Sequence, residues 1–110
     1  MHIHNSVRRF RKGVQLAQHE LADLLGLAQS SISRIEMGEL PDAPTLLKLQ
    51  VLFEQSPAHL FAGHFQSAGE ELVQRAAEVD LALAKQPGWR ASQKREWLRT
   101  IVTRVTPQPA

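Results

Sequence analysis

Gln18-His19-Glu20-Leu21-Ala22-Asp23-Leu24-Leu25-Gly26-Leu27-Ala28-Gln29-Ser30-Ser31-Ile32-Ser33-Arg34-Ile35-Glu36-Met37-Gly38 contains two helical patterns separated by one glycine. In the first, from Gln18 to Leu25, the residues Leu21, Ala22, Leu24 and Leu25 make an apolar face at helical spacing. Gly26 falls where a helix C-terminus calls for a left-handed residue, a conformation glycine takes without a Cβ clash. The second helix starts near Gln29, turns Ile32 and Ile35 inward and stops at Gly38. Ala22 supplies the small side chain that a tight helix crossing needs, and Leu27 plugs the core behind the turn. Gln29, Ser30, Ser33 and Arg34 are left on the outward face of the second helix.

Helical periodicity extends in both directions, and no strand-like alternation persists. Upstream, a helix from Asn5 to Lys12 sets Val7, Phe10 and Ile3 inward, with Gly13 at its end. Downstream, Pro41-Asp42-Ala43-Pro44 stiffens a turn, and Pro44 suits a first helical position because its missing N–H would be unpaired there anyway. The helix that follows is expected to bury Leu46, Leu49, Leu52 and Phe53. Ser56-Pro57 opens a short helix anchored by Leu60 and Phe61 and ended by Gly63. Five helices then share one core over residues 1–65. Residues 66–110 read as two more. One runs from Glu70 to Gln86 with a Leu72, Val79, Leu83 stripe flanked by Val73, Ala76 and Ala77. Gln86-Pro87-Gly88 breaks the pattern. The other runs from Ala91 to Val105 with Trp97, Leu98, Ile101, Val102 and Val105, before a frayed Pro107-Gln108-Pro109 end. The expected architecture is all-α: a five-helix domain followed by a two-helix C-terminal extension.

The Gln18–Gly38 stretch resembles the helix-turn-helix of the phage-repressor-like regulators, the Cro/C1 or XRE type. Arg11 stands where that family has its first-helix arginine. Thr45-Leu46-Leu47-Lys48-Leu49 and Pro57-Ala58-His59-Leu60-Phe61 match its fourth and fifth helices, so the resemblance covers about residues 5–63. It implies a lambda-repressor-like fold and binding of double-stranded DNA with the second helix of the motif in the major groove, whose roughly 12 Å width admits an α-helix. Gln29 opens that helix, and glutamine pairs bidentately with adenine N6 and N7. Ser30 and Ser33 are short, suiting water-mediated or tolerant base contacts. Arg34 suits either a guanine or a phosphate. By resemblance, Gln18 binds a phosphate with help from its helix N-terminus. Ser31, Arg9 and Lys12 are further candidate phosphate contacts, although Arg9 and Lys12 read equally as solvated charges. The family's counterparts of Arg11 and Glu36 form an ion pair that orients the reading helix, a structural role.

Two departures stand out. The family usually caps both helices of the motif with Ser or Thr, but Ala17 and Ala28 stand there, each forgoing roughly 1 kcal/mol. The connection after the reading helix, Met37 to Pro44, contains Glu39 and Asp42 and no base. Affinity follows the number of phosphates neutralised, so one copy alone should bind weakly. Dimerisation is the expected supplement, because such regulators place two copies on two half-sites. Three readings of the C-terminal stripes stay open: packing within the chain, a dimer interface, or a groove for another protein. The dimer or partner candidates are Leu72, Val79, Leu83, Trp97, Ile101 and Val105. The basic residues Arg90, Lys94, Arg95 and Arg99 offer additional phosphate contacts.

The 110-residue chain has 13 Lys and Arg against 11 Asp and Glu, a net charge of +2 that by itself says nothing about nucleic acid. Located, the charge is informative. Arg8, Arg9, Arg11 and Lys12 make residues 1–12 basic, the middle is net acidic, and residues 88–110 are basic again. The absence of cysteine removes disulfides, thiolate nucleophiles and Cys-based zinc sites. No nucleophile motif or Gly-rich phosphate loop appears, and His2, His4, His19, His59 and His64 form no metal-ligand pattern. No enzyme, cofactor or metal is expected. Met1-His2-Ile3-His4-Asn5 lacks the apolar core of a signal peptide, and no apolar run approaches the roughly 20 residues of a membrane span. The resulting expectation is a cytoplasmic, dimeric, sequence-specific repressor. Its rivals are an antitoxin whose C-terminal helices hold a toxin and an interaction module that has lost DNA binding.

Overall fold

Val7, Leu21, Ala22, Leu25, Ile32, Ile35, Leu49, Phe53, Leu60 and Phe61 converge on one core, with Phe10, Leu27 and Leu46 packed against it. The computed structural model describes residues 5–105; Ile3, the His2/His4 pair and the Pro107-Gln108-Pro109 end lie outside them. Among the described residues there are seven helices and no strand: α1 Val7–Gly13, α2 Gln18–Leu25, α3 Gln29–Glu36, α4 Ala43–Phe53, α5 Pro57–Leu60, α6 Ala62–Ala84 and α7 Trp89–Val105. None is long and apolar enough to cross a membrane. The chain divides into two compact units between Phe65 and Gln66, a boundary inside α6.

In the first unit α2 packs chiefly on α3. Gly26 makes the turn between them at φ 71°, and the Leu27 N–H donates to the Ala22 carbonyl at 2.9 Å. Neither helix has a side-chain cap at its start. Ala17 carries no acceptor, and the Glu20 carboxylate instead accepts the Ala17 N–H at 2.8 Å. Asp42 and Ser56 do cap α4 and α5, accepting the N–H groups of Thr45 and His59 at 3.1 Å each. Pro44 stands second in α4, one place later than expected. Phe10 and Phe53 close the far side of the core with ring centroids 5.9 Å apart.

Two leucines expected inside face solvent. Leu24 is 56% exposed and Leu52 is 40% exposed, and with Leu25, Leu47, Lys48 and Val51 they line a shallow apolar groove on α2 and α4. Leu21, Ala22 and Leu25 already fill the α2 contact with the core, which turns Leu24 away from it. Gly63 does not end α5. That helix stops at Leu60, and Gly63 lies within the first turn of α6, which starts at Ala62, eight residues before the expected start at Glu70. A glycine in ordinary helical backbone is only a modest local cost, so α6 runs through it.

The second unit contains an antiparallel helical hairpin. Gly88 reverses the chain at φ 106°, and α7 begins at Trp89, two residues earlier than expected. Gly69, Ala76 and Leu83 on α6 and Ala91 on α7 are buried, with Val73, Leu98, Ile101 and Val105 half-buried. At Gly69 a Cβ would lie 2.9 Å from Val105 Cγ1, so glycine lets the helices approach there. Asp80 and Arg95 bridge the seam at 2.9 Å. The bond from Arg95 holds the Asp80 carboxyl below its ordinary value.

Candidate nucleic-acid interface

The outward face of α3 carries Gln29, Ser30 and Arg34 exposed and Ser33 and Ser31 half-exposed, while Ile32 and Ile35 hold the helix against the core. What sets its position is a polar lock behind it. Arg11 Nε donates to Glu36 Oε2 at 2.6 Å and Arg11 Nη2 to Glu36 Oε1 at 3.1 Å, a bidentate pair with side chains only 8% and 4% exposed. The third arm of the guanidinium, Nη1, donates to the Leu16 carbonyl at 2.7 Å. The Asn5 Nδ2 group adds a tie from the start of α1 to the Ile35 carbonyl at 2.7 Å. Burial alone would raise the Glu36 carboxyl. The hydrogen bonds from Arg11 and Gln18, with the nearby charges of Arg11 and Arg8, outweigh that and hold it below its usual range.

Gln18 continues this lock toward the reading face. Its Nε2 donates to Glu36 Oε1 at 3.0 Å, and its Oε1 accepts from Gln29 Nε2 at 3.4 Å. Arg11, Glu36, Gln18 and Gln29 therefore form one chain of polar contacts from the interior to the first residue of α3. The family resemblance implies a phosphate beside Gln18 but gives no sign that Gln18 also contacts Gln29. Asn5 and Arg8 were likewise unmarked.

Arg34 is placed differently from the open cation anticipated. Its Nε donates to Glu39 Oε2 at 3.1 Å and its Nη2 to Ser31 Oγ at 3.2 Å, with both charged side chains well exposed. The acid in the connection after α3 thus stands directly on the basic residue of the reading helix. On α1, Val7 and Arg11 face inward, leaving Arg9 and Lys12 exposed; Arg9 lies over the Phe10 ring at 5.2 Å.

The C-terminal candidates divide. Leu83 is buried in the hairpin, Val105 seats against Gly69 and Ile101 is half-buried, whereas Leu72, Val79 and Trp97 are exposed. Among the basic residues, Arg95 is taken by Asp80, and Arg90 lies over Trp89 at 5.3 Å. Among the described residues no three His, Asp or Glu side chains gather as a metal site.

A short second helix, a left-handed Gly26 and a third helix with a polar outward face make up the geometry of a helix-turn-helix. A family model described as helix-turn-helix, of the Cro/C1 type, matches residues 7–60. The first unit belongs to that family. No curated protein and no solved structure matches the chain. Helix-turn-helix domains of this family are DNA-binding regulatory domains, and the family is not one of enzymes. By position in the motif, α3 corresponds to the recognition helix of such domains and α2 to the helix that precedes it.

Proposed function

We propose that this helix-turn-helix protein is a cytoplasmic, sequence-specific transcriptional repressor. It binds as a homodimer and occupies an operator by setting α3 of each copy in successive major grooves. The observation that carries this reading is the polar chain ending at Gln29. Gln29 Nε2 donates to Gln18 Oε1 at 3.4 Å, and Gln18 is itself held by the buried Glu36, a chain that biases where the Gln29 amide sits at the N-terminal end of α3. An amide so biased loses less freedom on pairing with an adenine edge, which favours one base over the others. Gln29, Ser30, Ser33 and Arg34 take the base contacts, and Gln18, Ser31, Arg9 and Lys12 take phosphates.

The Arg34–Glu39 pair favours a second reading, an interaction module that no longer binds DNA, because it neutralises the cation of the recognition helix. Titrating the full chain onto duplexes from its own upstream region while lowering the salt separates the two. Binding that strengthens as salt falls and selects one duplex supports the repressor. No binding at low salt supports the module.

A further inference from the structure

The hairpin of the second unit leaves one of its long faces unpaired. Along α6 the residues Gly69, Ala76 and Leu83, each seven positions from the next, are buried against α7. Leu72 and Val79 repeat at the same interval, offset by three or four positions, and are 56% and 48% exposed. Together Gly69, Leu72, Ala76, Val79 and Leu83 follow the alternating four-three spacing of a helix that packs against two neighbours at once. α7 covers only one side of this register.

The other side continues onto α7. With about 100° of rotation per residue, Trp97 and Ile101 lie on the flank of α7 that adjoins the Leu72/Val79 flank of α6. Trp97 is 56% exposed, with Arg104 lying over its ring at 5.5 Å. Leu72, Val79, Trp97 and Ile101 are therefore one apolar strip along a single face of the hairpin.

We propose that this strip is covered by the same strip of a second copy, giving a four-helix bundle in which α6 of one subunit lies against α7 of the other. The choice of occupant rests on charge. Once the Asp80–Arg95 bridge is set aside, with Glu70 and Arg99 turned about 180–200° away from the strip, α6 retains Glu71 and Glu78 against Arg75, and α7 retains Arg90, Lys94 and Arg104 against Glu96. One arm is acidic and the other basic. A two-fold axis parallel to the helices lays the acidic arm of each subunit on the basic arm of the other. An axis across the helices would set acidic on acidic and basic on basic.

A parallel axis also fixes the register, because it leaves every residue at its own height. Within the hairpin Gly69 is level with Val105, and Asp80 is level with Arg95. The same levels hold across the interface. Val79 then stands opposite Trp97 of the partner subunit, and Leu72 opposite Ile101 of the partner subunit. The bundle supplies the second half-site contact that the repressor reading requires, but it rests on the hairpin alone and is tested without DNA.

The natural absence of cysteine makes the test direct. By size-exclusion chromatography with light scattering at micromolar concentration, the full chain should have twice its 12.3 kDa mass. Val79→Glu should be monomeric with unchanged helical circular dichroism, and Trp97→Ala should weaken the dimer at least about tenfold, as expected for a central aromatic anchor. Full-length Val79→Cys mixed with full-length Trp97→Cys should oxidise to a cross-linked dimer, while Val79→Cys alone should not. A monomeric wild-type chain, a Val79→Glu dimer, or cross-linking by Val79→Cys alone overturns the arrangement. None of these results depends on whether Gln29 reads DNA.

Discussion

Arg11 and Glu36, from the first and third helices, meet as a bidentate pair at 2.6 and 3.1 Å with almost no exposed side-chain surface. The pair joins the start of the fold to the last residue of the recognition helix. Removing one partner strands a buried charge, which costs several kcal/mol in general. Glu36→Ala should lose about 3 kcal/mol by denaturant unfolding, as removal of one partner of a buried pair does. Glu36→Leu with Arg11→Met should recover much of that loss. An additive double variant would contradict the role of the pair as a coupled unit.

Acid should act through the same carboxylate. Glu36 titrates below its ordinary value in the folded protein, so the unfolded chain takes up the proton first. Its stabilising contribution is complete above the unfolded value of about 4.3 and is lost as pH falls through the lower folded value. Chemical unfolding measured between neutral pH and about pH 3 should show a weaker acid dependence for Glu36→Gln than for the wild type. Parallel curves for the two proteins would show that the pair does not supply this dependence.

Much of the helix-turn-helix can be read in the sequence, because each signal there is local. Gly26 at a left-handed turn, Ile32 and Ile35 at helical spacing, and the Ser56-Pro57 start all operate within a few residues. The features that spacing does not reveal depend on distant partners. Gly63 gives no sign of being spanned by α6, since a glycine marks a helix end and a tolerated interior position alike. Leu24 and Leu52 match helix periodicity yet face outward, because neighbours on the same helices already fill the core. The Gln18–Gln29 and Arg34–Glu39 contacts follow from side-chain rotamers across the turn and the connection, which no one-dimensional pattern records. The charge distribution was legible, but not that its acidic middle would place a carboxylate on Arg34.

Glu39 restrains Arg34. Glu39→Gln should free that guanidinium for the groove and remove a carboxylate that repels the backbone, the equivalent of one more phosphate neutralised, and so strengthen binding on every sequence. One additional phosphate contact would steepen the dependence of log K on log salt by about 0.9. A salt titration of the variant beside the wild type checks this. Unchanged affinity and slope would show that the pair does not oppose binding.

Ala28 leaves the first turn of α3 without a side-chain acceptor. Its backbone already has the extended conformation of a capping residue, so Ala28→Ser needs no rearrangement. The gain should be about 1 kcal/mol, seen as a raised unfolding midpoint at unchanged slope. A neutral or destabilising result would mean that solvent already satisfies the open N–H groups of this helix.

Gln18 and Gln29 should separate in their effects. Gln18→Ala removes the proposed phosphate contact together with the support of Gln29, so it should weaken binding to all sequences with a smaller loss of preference at the Gln29 base pair, whereas Gln29→Ala should chiefly remove discrimination of about 1–3 kcal/mol at that base pair. Competition binding against single-base operator variants distinguishes them. Equal losses on every sequence for both variants would refute the base-reading role of Gln29.

Selecting bound sequences from a pool of random duplexes, with wild type and Gln29→Ala run in parallel, tests most directly whether α3 reads DNA. The expected wild-type result is a mirrored motif with half-site centres about 10 base pairs apart, or a multiple of that spacing. In Gln29→Ala, one position in each half-site should lose its preference while the rest of the motif survives. No enriched motif for the wild type, or the same motif from both proteins, would contradict it.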